Sequence, residues 1–290
     1  MMPSIDRRAN RYKSGRAFAR SLILACLVPG FLACGSAERV NVPLVVPPVG
    51  AEIVSVPAED GLSLAGTLVR DRASTRGVIA LHGFSENRTV FDGLLPYLAQ
   101  RGFNAIAIDL RGQHGSLGAT VDEAKATREA YVRRDLAWFD RMVVDVQAVK
   151  QFLIEACGCD PRRIAVVGSG LGASLAIRAA AVDREISALV LLSPGWRTLG
   201  LDVRPEMAKL RGRPIFSTFA TQSPGADEAI EFLYEAWATG LSRREREELS
   251  RGWHVRPVDM GYPRGHGGRA LREATTLTTE IHTFLAAAIP

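Results

Sequence analysis

The chain has 290 residues, 47% of them hydrophobic and 23% charged, which is enough apolar material for one large core and excludes a disordered or fibrous protein. Its formal charge of +5 arises at the N-terminus, where residues 1–33 hold six basic groups (Arg7, Arg8, Arg11, Lys13, Arg16, Arg20) and one acid, Asp6. The rest carries 30 basic and 30 acidic residues, so no electrostatic footprint for nucleic acid exists and nucleic-acid binding is not expected.

The basic stretch runs into an apolar segment, Ser21 to Leu32, that is too short for a comfortable membrane span and suits the h-region of a signal peptide. It ends in Phe31-Leu32-Ala33-Cys34-Gly35, which resembles the lipobox of bacterial lipoproteins, where the cysteine is lipidated and becomes the new N-terminus. Phe31 departs from that pattern, in which leucine is usual. Cleavage at Cys26 instead would leave about five h-region residues after Arg20, short of the roughly 7–15 expected. The resemblance implies a signal peptide over 1–33, a lipid on Cys34 as the membrane partner and a place in the bacterial cell envelope. An ordinary secreted protein or an uncleaved anchor is the alternative. Residues 34–50 contain Pro43, Pro47 and Pro48 and predict an extended tether.

Residues 51–290 predict one domain. Strands are expected at Ile53–Val56 and Leu62–Val69, joined by Asp60-Gly61 as a hairpin. A strand at Gly77–Leu81 is followed by a helix over Phe91–Arg101, and a further strand covers Phe103–Asp109. A long helical stretch with a break spans Val121–Ala156, its second half carrying Val143, Val146, Val149, Phe152 and Leu153 at helical spacing. Strands follow at Ile164–Val167, Ala188–Leu192, Arg213–Phe219 and Trp253–Met260, interleaved with helices after Gly172, over Ala226–Ala238 and over Ala270–Ala287. Arg243 to Glu248 reads as a solvated helix face with paired charges. Apolar strands alternating with helices predict a mostly parallel sheet covered on both faces, with an antiparallel edge from the first hairpin. Cys157 and Cys159 flank Gly158 at a helix end. A bridge over that spacing would be strained, and two thiols are too few for a structural zinc site, so they read as small turn residues, with oxidation left open by an envelope location.

Four motifs carry chemistry. Leu81-His82-Gly83-Phe84 follows the third strand, Asp109-Leu110-Arg111-Gly112-Gln113-His114-Gly115-Ser116 follows the fourth, Gly168-Ser169-Gly170-Leu171-Gly172 follows the fifth, and Gly265-His266-Gly267 follows the last. In this order they resemble the α/β-hydrolase fold, a resemblance that covers nearly all of 51–290. The third motif has the setting of a Gly-x-Ser-x-Gly nucleophile elbow. The resemblance implies a serine nucleophile, a histidine base, an orienting acid and an oxyanion hole built from backbone N–H groups. Carried over position by position, His266 is the base, and Phe84 and Leu171 supply the oxyanion donors. Gly170 stands at the nucleophile position, which is thus vacated. The acid's place holds Thr221, Gln222 and Ser223, with Asp227 arriving late as a displaced candidate.

Ser169, Ser174 and Ser85 are the candidate replacements for the missing nucleophile, each with a local backbone hydrogen bond as its plainer role. No cofactor is expected. His82, His114 and His266 lack the spacing of a metal site, and His82 reads as a structural histidine. Two functions stay open. One is a pseudohydrolase, a lipid-tethered domain whose pocket binds a small acyl or peptide-like ligand or an unspecified protein partner. The other is an active esterase-like hydrolase that pairs a displaced serine with His266.

Overall fold

The computed structural model describes residues 45–84, 86–118, 120–259, 265–274 and 276–290. The expected signal peptide, Cys26, Cys34, most of the tether and Ser85 lie outside the described residues. Strands β1 (Ala51–Pro57) and β2 (Ser63–Val69) form the expected hairpin, with Ala51 opposite Val69 and Pro57 opposite Ser63. Strand β3 (Gly77–Leu81) leads through a capped turn to helix α1 (Leu94–Ala99) and strand β4 (Asn104–Ile108). Helices α2 (Val121–Val132) and α3 (Leu136–Cys157) precede β5 (Ile164–Ser169), α4 (Leu171–Val182) and β6 (Ile186–Leu192). A small hairpin, β7 (Arg197–Thr198) with β8 (Leu201–Asp202), and the short α5 (Arg204–Met207) lead to β9 (Ile215–Ala220). Helices α6 (Ala226–Trp237) and α7 (Arg243–Leu249), strand β10 (Trp253–Val258) and helices α8 (Ala270–Glu273) and α9 (Leu277–Ala288) complete the chain.

Eight strands form one sheet in the order β1-β2-β4-β3-β5-β6-β9-β10. β1 and β2 run antiparallel to their neighbours and the other pairings are parallel. The two-residue period of a strand divides its side chains between two cores. Ile79 and Leu81 of β3, Ile106 and Ile108 of β4 and Val166 of β5 meet α3, α4 and α6 on one face. Val78, Ala80, Ala105, Ala107, Ala165 and Val167 meet α1 and α9 on the other. Each fully buried leucine or isoleucine contributes about 1.5–3 kcal/mol of transfer free energy, so these uninterrupted apolar strands are stable only when covered on both faces.

The β7–β8 hairpin and α5 were not expected, and the expected elements differ from the structure mainly at their ends. The helix expected from Phe91 starts later, because Asn87 caps a single turn at Arg88–Phe91 by accepting the Thr89 N–H at 2.9 Å. The break expected in the long helical stretch falls between α2 and α3, where Arg134 takes φ 56° and Asp135 caps α3 by accepting the Ala137 N–H at 2.9 Å. The last helix is interrupted at Ala274. Cys157 and Cys159 are free thiols, and burial pushes the Cys159 thiol up to about 12. The Arg243–Glu247 and Arg244–Glu248 pairs lie along an exposed α7. Among the described residues, no helix is long and apolar enough to cross a membrane.

Candidate active site

The turn from β5 into α4 passes through Gly170, which takes φ 48° and ψ −106°. This is a sharp, strained conformation that projects whatever side chain it carries away from the sheet end. The glycines on either side are required by contact. A Cβ on Gly168 would stand 2.3 Å from the Gly172 oxygen, and one on Gly172 would stand 2.1 Å from the Leu81 oxygen. Gly170 is different, since the nearest atom to a Cβ there is the Gly83 Cα at 3.9 Å. A side chain has room at 170, and none is present.

Ser169 ends β5 and is 1% exposed. Its hydroxyl donates to Glu86 Oε2 at 2.5 Å and accepts the Gly268 N–H at 2.8 Å. Glu86 Oε2 also accepts the Gly83 N–H at 2.8 Å, and Oε1 accepts the Gly268 N–H at 3.0 Å. Beside them, the Gly267 N–H donates to Ser193 Oγ at 2.9 Å, which ties the histidine turn to the end of β6. The structure thus seats a carboxylate, Glu86, among the hydrolase motifs. Glu86 and Ser193 carry no local sequence signal, because their partners lie 83, 182 and 74 residues away and no spacing rule links them.

His266 is half-buried in the turn before Gly267. Burial holds its imidazole below the ordinary histidine range, and the Glu86 charge partly opposes that effect. Asp227, the displaced acid candidate, is placed elsewhere. It is exposed on the first turn of α6, accepts the Glu228 N–H at 2.9 Å and lines a shallow groove with Phe219, Tyr234, Trp253 and Val255. The carboxylate charge that acts on His266 is that of Glu86, while the first turn of α6 borders that groove. Leu171 is buried at the start of α4, and Phe84 follows Gly83 on the surface of the His-Gly loop, 42% exposed. Ser174 is fully buried inside α4, facing the core.

The remaining motif residues build the frame. His82 is fully buried. Its Nδ1 donates to the Gly83 carbonyl at 2.7 Å while its Nε2 accepts the Leu110 N–H at 3.0 Å. That pairing selects the neutral tautomer, and burial lowers its pKa to about 4. Asp109 accepts the N–H groups of Arg88 and Gly115, each at 3.0 Å, and pairs with the buried Arg88 guanidinium, which also donates to Thr67 Oγ1 at 3.1 Å. Ser116 bridges the Asp109 carbonyl and the Ala65 N–H at 2.7 and 3.0 Å. The Asp109–Ser116 loop is therefore pinned to β2 and to the His-Gly loop. His114 adds a contact from Nε2 to the Glu86 carbonyl at 2.9 Å. Among the described residues, no cluster of three or more His, Cys, Asp or Glu side chains is placed to hold a metal ion. Trp196 packs on Phe232 and under the Arg204 guanidinium.

Comparison with known proteins agrees with this frame. The chain is 25% identical over 201 residues to polyketide transferase ATR5 of Stachybotrys chlorohalonatus, a match covering 66% of this chain and 61% of that protein. The chain thus spans less than two thirds of that relative. Among solved structures, it is similar to the esterase Pf2001 of Pyrococcus furiosus (TM-score 0.61, 20% identity, 87% of this chain and 100% of that one). It is similar also to a dienelactone hydrolase from Anabaena variabilis (TM-score 0.60, 16% identity, 83% of this chain and 98% of that one). At these identities the structural likeness establishes the fold. The model of the alpha/beta hydrolase family matches residues 78–274, from β3 to α8 and including all four motifs, and the chain belongs to that family.

Proposed function

We propose that this protein is a pseudohydrolase, an α/β-hydrolase domain whose centre keeps the frame and the histidine but carries no nucleophile. One observation carries the reading: the apex of the elbow is Gly170, in the strained turn conformation and with space for a side chain it does not have. A serine nucleophile needs an exposed hydroxyl whose proton passes to a histidine. Ser169 is buried, and its proton goes to Glu86. The active esterase-like alternative would have to expel Glu86 and turn Ser169 outward, which breaks both of the hydroxyl's hydrogen bonds.

On this reading the centre serves to bind a small acyl or peptide-like ligand, or to engage a protein partner. The domain is held at the bacterial envelope by a lipid on Cys34. The names of the relatives, a transferase, an esterase and a dienelactone hydrolase, support acyl chemistry as the ancestry of the pocket. The test is labelling of the purified full-length protein with a fluorophosphonate probe, beside Gly170→Ser. No labelling of the native protein is expected. Native labelling that disappears in His266→Ala would establish an activated displaced serine and overturn the reading. Labelling gained by Gly170→Ser would show that His266 and the oxyanion donors are still aligned on the apex.

A further inference from the structure

Glu86 holds its place in the centre through neutral donors. Its two oxygens take the Gly83 N–H, the Gly268 N–H and the Ser169 hydroxyl, supplied by the end of β3, the histidine turn and the end of β5. We propose that these three donors form a carboxylate-binding site, which Glu86 fills from within the chain and which takes the carboxylate of a small ligand when Glu86 swings out. The proposal rests on the reading of the centre as vacated by its nucleophile.

Shape and donor chemistry both point to a carboxylate. Around the Glu86 oxygens stand glycines, and side chains there would close the space. A Cβ on Gly83 would lie 2.8 Å from Oε2, and one on Gly267 would lie 2.6 Å from Ser169 Oγ and 3.0 Å from Oε1. The backbone donors cannot accept, and the Ser169 oxygen already accepts the Gly268 N–H while its proton points at Oε2. An ionised carboxylate, which only accepts and does so at two coplanar oxygens, matches that set; an amide would turn an N–H toward a donor. The donors lie at the ends of buried strands and in a turn pinned by Ser193. The side chain that fills the cradle is only half-buried and follows the exposed Phe84. A fixed cradle filled from a surface loop is open to competition from outside.

An internal occupant weakens an external ligand by the fraction of time the cradle is free. If Glu86 fills the cradle nine-tenths of the time or more, its removal strengthens ligand binding by about tenfold or more. The experiment titrates sodium acetate against detergent-solubilised full-length protein, native and Glu86→Ala, followed by saturation-transfer NMR on the acetate methyl, with acetamide as the neutral control. Glu86→Ala is expected to bind acetate at least about tenfold more tightly than native and to leave acetamide unbound; adding Ser169→Ala weakens the acetate. Circular dichroism checks folding. If Glu86→Ala does not fold, Glu86→Gln replaces it and is expected to bind acetate more tightly than native, because its amide matches the three donors poorly. Equal acetate affinity in the folded variant and native protein, or equal binding of acetamide, overturns the proposal. Fluorophosphonate labelling of native protein would overturn the pseudohydrolase reading instead, and the acetate comparison separates the two failures.

Discussion

Gly170, Ser169, Glu86 and His82 show how differently one loop cluster treats its residues. Gly170 has space but a backbone that disfavours any L side chain. Gly170→Ser is therefore expected to fold and to lose about 1–3 kcal/mol, read from the urea midpoint. A loss well beyond that would mean that the apex is crowded after all. His82 is neutral in the folded protein, where burial has lowered its pKa to about 4 from the ordinary 6.5. Below pH 6.5 the unfolded chain gains a proton there that the folded one refuses. Its contribution is complete above pH 6.5 and is lost as the pH falls toward 4, amounting to about 3 kcal/mol. Urea titrations at pH 7, 5.5 and 4.5 should show this decline, and His82→Asn should flatten much of it. The half-buried His266 moves in the same direction and keeps part of the slope. A variant profile as steep as the native one would remove His82 as the cause.

Secondary elements were legible wherever apolar periodicity ran unbroken, because a strand covered on both faces favours apolar side chains on both. Ile164–Val167 and Ala188–Leu192 lie within β5 and β6 for that reason. Ends were less legible, since caps such as Asn87 and Asp135 act through one hydrogen bond each. Asp135→Ala is expected to cost about 1 kcal/mol by uncapping α3, measured by chemical denaturation, and an unchanged midpoint would show that the cap is idle. The elbow as an element depends on Gly172, where α4 passes against β3. Gly172→Ala sets a Cβ against the Leu81 oxygen and is expected to destabilise by about 1–3 kcal/mol or more. The same change at Gly93, whose Cβ meets nothing within 4 Å, should leave stability nearly unchanged.

At the scale of the molecule, strand order and two-sided burial place the His-Gly loop, the elbow and the histidine turn at one end of the sheet. This is where open α/β sheets bind ligands, outside the carboxyl ends of their strands. The N-terminal residues carry the proposed envelope location. Cys34→Ser is expected to move the protein from the membrane to the soluble fraction and to abolish incorporation of labelled fatty acid. Membrane retention of that variant would indicate an uncleaved anchor.

By itself the sequence determined the order of the main-sheet strands and most of the helices between them, the four motif positions and the glycine at position 170. Those properties are written in local composition, in two- and 3.6-residue periods and in the identity of single residues. Only the tertiary structure decided which carboxylate meets the centre, because hydrogen bonds between Glu86, Ser169 and Gly268 join segments up to 182 residues apart. It also set Asp227 on the groove beside Phe219 and Trp253 and showed that space does not forbid a side chain at 170. Convergence of distant loops is set by how the sheet packs, and no local pattern in the chain encodes it.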